Sequence, residues 1–211
     1  MPGIEWRADG TPFSPRFGDI YRSEDGLRQA RHVFLRGCGL LADADEAPAW
    51  NGMPRWGVLE LGFGLGLNFL ATWHAWQQCP QRPARLFYSA CEAWVPSFAD
   101  LRRSAAPHPE LLPLLDELEA HWHGLAPGVH RLRLAGGQVL LTLAVGDVAD
   151  VLPELDGVHD SLFLDGFAPE KNPAMWQPQV LRAAARLLHI GARGHMVRGG
   201  RSAAHAGGLR L

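Results

Sequence analysis

Apolar and polar positions along the chain divide it into strands and helices that follow one another in turn. Arg55-Trp56-Gly57-Val58-Leu59-Glu60-Leu61 is a short, nearly continuous apolar run that ends in glycines, and it predicts a buried strand. Leu67, Leu70, Ala71 and His74 recur at helical spacing and predict a helix over 65–78. Further strands are predicted over 85–90, 138–145 and 159–164, with Gly136-Gly137 turning a hairpin between 130–134 and 138–145. The stretch from about 96 to 121 reads as helical, and Pro107, Pro109 and Pro113 divide it into two helices. Val180, Leu181, Ala184, Leu187 and Leu188 form the apolar stripe of an amphipathic helix over 175–189. In the otherwise irregular first fifty residues, Ser23 is placed to cap a helix with Glu24 and Asp25 in its first turn and Leu27, Ala30 and Phe34 on one face. Strands alternating with helices predict the α/β class: an open, mostly parallel sheet covered on both faces, with ligands outside the carboxyl ends of its strands.

Composition narrows the class. Of 211 residues, 47% are hydrophobic and 20% charged, enough apolar mass for a substantial core. Three scattered cysteines (Cys38, Cys79, Cys91) are too few for a disulfide framework or a four-ligand zinc site, and they read as reduced thiols of a cytoplasmic protein. The start shows no basic region followed by an apolar run, so no signal peptide is expected. The longest apolar stretch, Val58 to Ala71, is interrupted by Glu60 and falls short of the roughly 18 residues a membrane helix needs, so no membrane partner is expected. The net charge of −2 conceals an asymmetry: from Lys171 to Leu211 there are seven Lys or Arg and no acid, which leaves −9 on residues 1–170. A basic end on an acidic body fits a polyanion such as RNA, and it equally fits a solvated helix.

Two segments carry the chemistry. The first is Glu60-Leu61-Gly62-Phe63-Gly64-Leu65-Gly66-Leu67-Asn68-Phe69. Glycines at alternate positions after a strand let the backbone turn sharply against a ligand. The dinucleotide pattern G-x-G-x-x-G requires a small sixth residue, and the two possible frames place Leu67 or Phe69 there. An acid before the glycines would repel a pyrophosphate but attract the ammonium of a methionyl group, as in the S-adenosylmethionine loop of methyltransferases. Glu92 follows the second strand, where a carboxylate can accept both ribose hydroxyls, and Asp147 follows a later one, where it can take the adenine amine. Each acid taken alone reads equally as a helix cap or a solvated loop residue.

The second segment runs from Leu162-Phe163-Leu164-Asp165 to Met175-Trp176. Asp165 ends a buried strand, where it can hold an amine and accept its proton around methyl transfer. Phe167 and Trp176 can stack on a base, and Lys171 can meet a phosphate. The plainer alternatives are a turn-capping aspartate, core aromatics and a solvated lysine. No metal is expected: the ten histidines are dispersed, and His121-Trp122-His123 turns its two rings to different helix faces. No G-x-S-x-G elbow occurs.

With Phe17-Gly18-Asp19-Ile20-Tyr21, Gly26-Leu27 to Val33-Phe34-Leu35, Glu60 to Phe69 and Leu164 to Trp176, the chain resembles a known family from about Phe13 to Gly194. It is similar to the methyltransferase domain of the tRNA 5-methylaminomethyl-2-thiouridine biosynthesis bifunctional protein (MnmC) family. The resemblance implies a Rossmann-like methyltransferase fold over 51–211, with residues 1–50 as an N-terminal extension packing on the substrate side. It implies S-adenosyl-L-methionine as methyl donor and the aminomethyl group of the tRNA wobble uridine as acceptor, making the chain a tRNA (5-aminomethyl-2-thiouridylate) methyltransferase. Asp165 is the implied active-site carboxylate, and Glu60, Gly62, Gly64, Gly66, Asn68, Glu92 and Asp147 are the expected cofactor residues. Tyr21, Phe167, Lys171 and Trp176 are the expected substrate residues. The pattern departs from the family at Ala93, where a lysine is usual, and over Gly194 to Arg201, which predicts shortened last strands. With no second glycine fingerprint downstream, a separate flavin-dependent oxidase is expected to act earlier in the pathway. Two other readings stay open: a non-catalytic remnant that binds RNA or a partner, and a small-molecule methyltransferase.

Overall fold

The computed structural model describes residues 3–42, 46–197 and 206–210. Three short strands come first: β1 (Glu5–Trp6), β2 (Pro12–Ser14) and β3 (Asp19–Ile20) form a small antiparallel sheet. A seven-stranded sheet follows, built from β4 (Arg55–Leu61), β5 (Arg85–Glu92), β6 (Gly128–Leu134), β7 (Val139–Val145), β8 (His159–Leu164), β9 (Leu188–Val197) and β10 (Ala206–Arg210). Its order is β10-β9-β8-β4-β5-β7-β6. The five central strands pair in parallel, and β6 and β10 close the two edges antiparallel. Chain order reverses between β5 and β8 on either side of β4, so the carboxyl end of β4 lies at the switch point where such sheets bind ligands.

Both faces of the sheet are covered, which is why every residue of β8, and of β4 beyond Arg55, is buried. On one face Trp56, Val58, Leu86, Tyr88, Ala90 and Phe163 pack under α2 (Leu67–Gln78), α3 (Phe98–Ala105) and α4 (Leu112–Glu119). On the other face Leu59, Leu61, Leu162 and Leu164 pack under α5 (Val148–Val151) and α6 (Pro178–Arg186). The first helix, α1 (Gly26–Gln29), widens into a π-helical segment over Ala30–Arg36 that lies along α2.

Several predicted boundaries move, each for a local reason. Ser23 does not cap α1; its hydroxyl pairs with the Gln29 amide oxygen, and the helix begins at Gly26. Helix α2 starts at Leu67 because Gly64 and Gly66 both hold left-handed backbone ahead of it. The two helices split by prolines form as expected, with Ser97 capping α3 through the Asp100 amide. The long helix expected over 175–189 is shorter. Pro173–Trp176 is a 3₁₀ turn, Gln177 is extended ahead of Pro178, and α6 stops at Arg186. Leu188 therefore opens β9 opposite His159. The last strands are not lost: β9 runs for ten residues and β10 for five, and residues 198–201 of the segment that departs from the family pattern lie outside the described residues.

Candidate active site

A cleft of about 1530 Å³ opens at the carboxyl ends of β4, β5, β7 and β8. That is larger than the roughly 300–1,000 Å³ of a single drug-sized site. Its floor is formed where the loops after these strands meet backbone to backbone. The amides of Gly62 and Phe63 donate to the Cys91 carbonyl, and the Asp165 amide donates to Leu61. Gly62 holds φ +93°, and a Cβ there would lie 2.4 Å from the Asp165 carbonyl oxygen. Glycine at 62 is thus what allows the cofactor-type loop and the Asp165 loop to touch.

The sequence-predicted acids fall into three different settings. Glu92 is half-buried at the cleft wall, and its two oxygens accept the Gly64 amide at 2.8 Å and the Trp94 amide at 2.9 Å. Burial lifts its carboxyl from 4.5 to about 7, against the lowering pull of those amides and that of Ala93. Asp165 also lines the cleft, and burial raises it from 3.8 to about 6 while the Asn68 hydrogen bond pulls it down. Asp147 is exposed at the rim, where one oxygen caps α5 through the Ala149 amide at 2.9 Å.

Glu60 is different. Expected to face the methionyl ammonium, it instead lies behind the cleft wall with no exposed surface. Trp56, Val58 and Glu60 alternate onto the face of β4 that packs under α2, so the carboxyl enters the core. Its Oε1 accepts the Asn68 amide at 2.8 Å and its Oε2 accepts the Tyr88 hydroxyl at 2.9 Å. Burial, and next the Asp165 charge, push the Glu60 carboxyl well above the usual range, while burial and the Glu60 charge do the same to the Tyr88 phenol. The second hydrogen of the Asn68 amide goes to Asp165 Oδ2 at 2.6 Å. Asn68, placed by sequence among the cofactor residues, thus joins the buried glutamate to the cleft aspartate.

Aromatic side chains and cations form the opposite wall. Phe167 stacks on Phe17 with centroids 4.5 Å apart and meets the edge of Tyr21 at 5.1 Å. Phe17 also contacts Trp94 at 5.5 Å, and the Arg16 guanidinium lies 4.2 Å over the Trp94 ring. Burial raises the Tyr21 phenol, and the Glu92 charge adds to it. Lys171 is exposed at the rim beside Gly18. Trp176, expected to stack on a base, turns away: it packs against the lower core and donates to the Phe167 carbonyl at 3.0 Å, bracing the loop from beneath. Asp19 Oδ2 takes the Ala168 amide at 3.3 Å and Trp6 donates to Asp100 at 2.8 Å, so the first residues clasp both sides of the cleft.

Sequence reasoning missed Tyr88, Phe17, Trp94 and Arg16. Tyr88 was discoverable as a phenol in the middle of β5, which pairs with β4. The contact of Phe17 with Trp94 joins positions 77 residues apart, and no local pattern marks it. Among the described residues, no group of His, Cys, Asp and Glu is placed to hold a metal ion, and no helix is long and apolar enough to cross a membrane.

A switch-point cleft with a glycine loop, a strand-two acid and a strand-end aspartate defines the class of Rossmann-like methyltransferases. Residues 109–196 match the S-adenosyl-L-methionine-dependent methyltransferase family, which makes S-adenosyl-L-methionine the cofactor. Within that class, the chain is similar over most of its length to part of the tRNA 5-methylaminomethyl-2-thiouridine biosynthesis bifunctional protein MnmC. It is 53% identical over 190 residues to the protein of that name from Paracidovorax citrulli, covering 90% of this chain and 29% of the relative. It is 48% identical over 190 residues to that of Thiobacillus denitrificans, covering 90% of this chain and 30% of the relative. The chain therefore spans about 30% of the length of these relatives. The crystal structure of MNMC2 from Aquifex aeolicus shares the fold, with a TM-score of 0.64 at 23% identity over 91% of this chain and 58% of the other.

Proposed function

We propose that this chain methylates the aminomethyl group of the wobble uridine in tRNA, giving 5-methylaminomethyl-(2-thio)uridine. The observation that carries the reading is Asp165: a carboxyl raised to about 6, facing the cleft and locked to the glycine loop by backbone contact. The relatives' names, which describe biosynthesis of that tRNA nucleoside, supply the acceptor.

The residues present fit the cofactor. Gly64 lines the cleft on left-handed backbone with only the Tyr21 ring within 4 Å of where a Cβ would stand, which leaves the loop open to close approach by a ligand, and Glu92 keeps acceptor capacity for ribose hydroxyls beyond its two backbone amides. When bound, S-adenosyl-L-methionine supplies a methyl group on a cationic sulfur. Asp165 and Glu92 give the cleft the negative potential that favours this cation. An amine is nucleophilic only when neutral, so an ammonium entering the cleft gives one proton to Asp165. Phe17, Tyr21, Trp94 and Phe167 exclude water and offer flat surfaces to an unstacked base. Arg16 and Lys171 at the rim match flanking phosphates. The partner is then a tRNA that already carries the primary amine.

Transfer of labelled methyl from S-adenosyl-L-methionine to tRNA bearing the aminomethyl nucleoside tests the reading. The purified chain is expected to label that tRNA, and Asp165→Ala is expected to bind cofactor without labelling it. A fully active Asp165→Ala removes Asp165 from the mechanism, and no labelling by the unmodified chain removes the function.

A further inference from the structure

Asn68 holds an unusual position in this cleft. It is 6% exposed, lines the cleft, and spends both amide hydrogens on carboxylates: one on Glu60 Oε1 and one on Asp165 Oδ2. The remaining polar atom, Oδ1, takes no hydrogen bond among the described residues and is not sealed in the core, so it is left at the cleft surface. The reverse amide orientation would aim a carbonyl oxygen at two carboxylates, so these neighbours fix which atom faces outward. Tyr88 holds the far side of Glu60, and the Thr72 hydroxyl donates to the Asn68 carbonyl of the main chain at 2.7 Å. The Asn68 side chain is therefore held from behind as an acceptor, hydrogen-bonded to a carboxylate whose other oxygen, Asp165 Oδ1, likewise takes no hydrogen bond among the described residues.

We infer that Asn68 Oδ1 and Asp165 Oδ1 form a two-acceptor seat for a primary amine, and that this seat ends the reaction after one methyl. The inference rests on the function proposed above. A neutral primary amine has two N–H donors and one lone pair. Seating both donors on these oxygens leaves the lone pair as the only direction open to the methyl donor. The ammonium first loses a proton through Asp165 to solvent, which leaves the carboxylate an acceptor again. The lone pair then forms the N–C bond while the C–S bond breaks with its electrons kept on sulfur. The product is a secondary ammonium.

A second transfer meets a different balance. After losing a proton, the secondary amine has one N–H for two acceptors, so presenting its lone pair again puts the new methyl against a carboxamide or carboxylate oxygen. That oxygen loses its hydrogen bond and its access to water together. Glu60 and Tyr88 touch no ligand in this scheme. They are positioning residues that keep the Asn68 amide from turning.

Nucleoside mass after exhaustive reaction with excess S-adenosyl-L-methionine reads this directly. The unmodified chain is expected to stop at one added methyl, whereas Asn68→Ala, which removes the acceptor and makes room, is expected to add two at a reduced rate. Asn68→Ala that transfers methyl but stops at one overturns the inference, as does a defect confined to cofactor affinity, which would give Asn68 to the methionyl amine. Binding supplies a second measurement that needs no turnover by a variant. With S-adenosylhomocysteine present, the unmodified chain is expected to hold aminomethyl tRNA about tenfold more tightly than dimethylaminomethyl tRNA, the worth of one lost hydrogen bond. Equal affinity overturns the inference however the variants behave. An unmodified chain that transfers nothing to tRNA defeats the functional reading, whereas single transfer with equal affinities defeats only the seat.

Discussion

Asp165→Asn separates what this carboxylate does for folding from what it does for chemistry. Burial raises its carboxyl from 3.8 to about 6, so the folded chain holds that proton more tightly than the unfolded chain. Between those two values the folded state binds more protons, and stability from this group falls as pH rises through the window. Above it the charged carboxylate destabilises the fold by at most about 3 kcal/mol, from 1.36 kcal/mol for each tenfold step in acidity. Contact with solvent in the cleft reduces this to roughly 1–3 kcal/mol. Asparagine keeps an oxygen for the Asn68 amide and removes the charge. At pH 8 Asp165→Asn is therefore expected to melt about 3–10 °C above the unmodified chain. The gap should shrink as pH falls through about 6 and close near pH 4, while methyl transfer is lost at every pH. Thermal unfolding followed by circular dichroism from pH 4 to 8 measures both the gap and its slope. A variant that is no more stable at pH 8, or a gap that ignores pH, refutes the claim that the cleft holds this carboxyl at an energetic cost.

Other consequences follow from the same geometry. Gly62→Ala brings a Cβ to within 2.4 Å of the Asp165 carbonyl on backbone at φ +93°, so it should cost about 1–3 kcal/mol of stability and most cofactor affinity, read by melting and titration calorimetry. Glu92 is held near 7 by burial, and ribose hydroxyls favour its charged form, so cofactor affinity should weaken up to about tenfold per pH unit below 7. Glu92→Gln should flatten that dependence, and an unchanged slope would place the ribose elsewhere. Lys171→Ala should lower the slope of log affinity against log salt for tRNA by about 1 while leaving cofactor binding alone, as seen by electrophoretic shift at several salt concentrations.

The fold was largely legible because its strands are strongly marked. The bounds of β4 and β8 fall on the predicted residues, since each ends in a short apolar stretch, Val58-Leu59 with Leu61 or Leu162-Phe163-Leu164, cut off by glycine or a charged turn. The end of α6 was not legible. Leu187 and Leu188 extend the apolar stripe of the helix by period alone, yet Leu188 is claimed by pairing with His159, a tertiary interaction that local pattern does not contain. At the site, the placement of Gly62, Gly64, Glu92 and Asp165 along one cleft could be read from their positions after strands. The role of Glu60 could not be read from its place beside glycines, although the alternation of Trp56, Val58 and Glu60 already puts all three on one face of the strand. Trp176 failed in the opposite sense: an aromatic in a functional loop serves here as its brace, because the backbone of the loop needs a donor for the Phe167 carbonyl.

A crystal structure of the chain with S-adenosyl-L-methionine bound tests the central claim most directly. The ribose hydroxyls should lie within hydrogen-bond distance of Glu92, with the sulfonium methyl pointing across the cleft toward Asp165 and Asn68. A cofactor seated away from the Gly62–Gly66 loop, or a methyl turned from Asp165, would contradict the account.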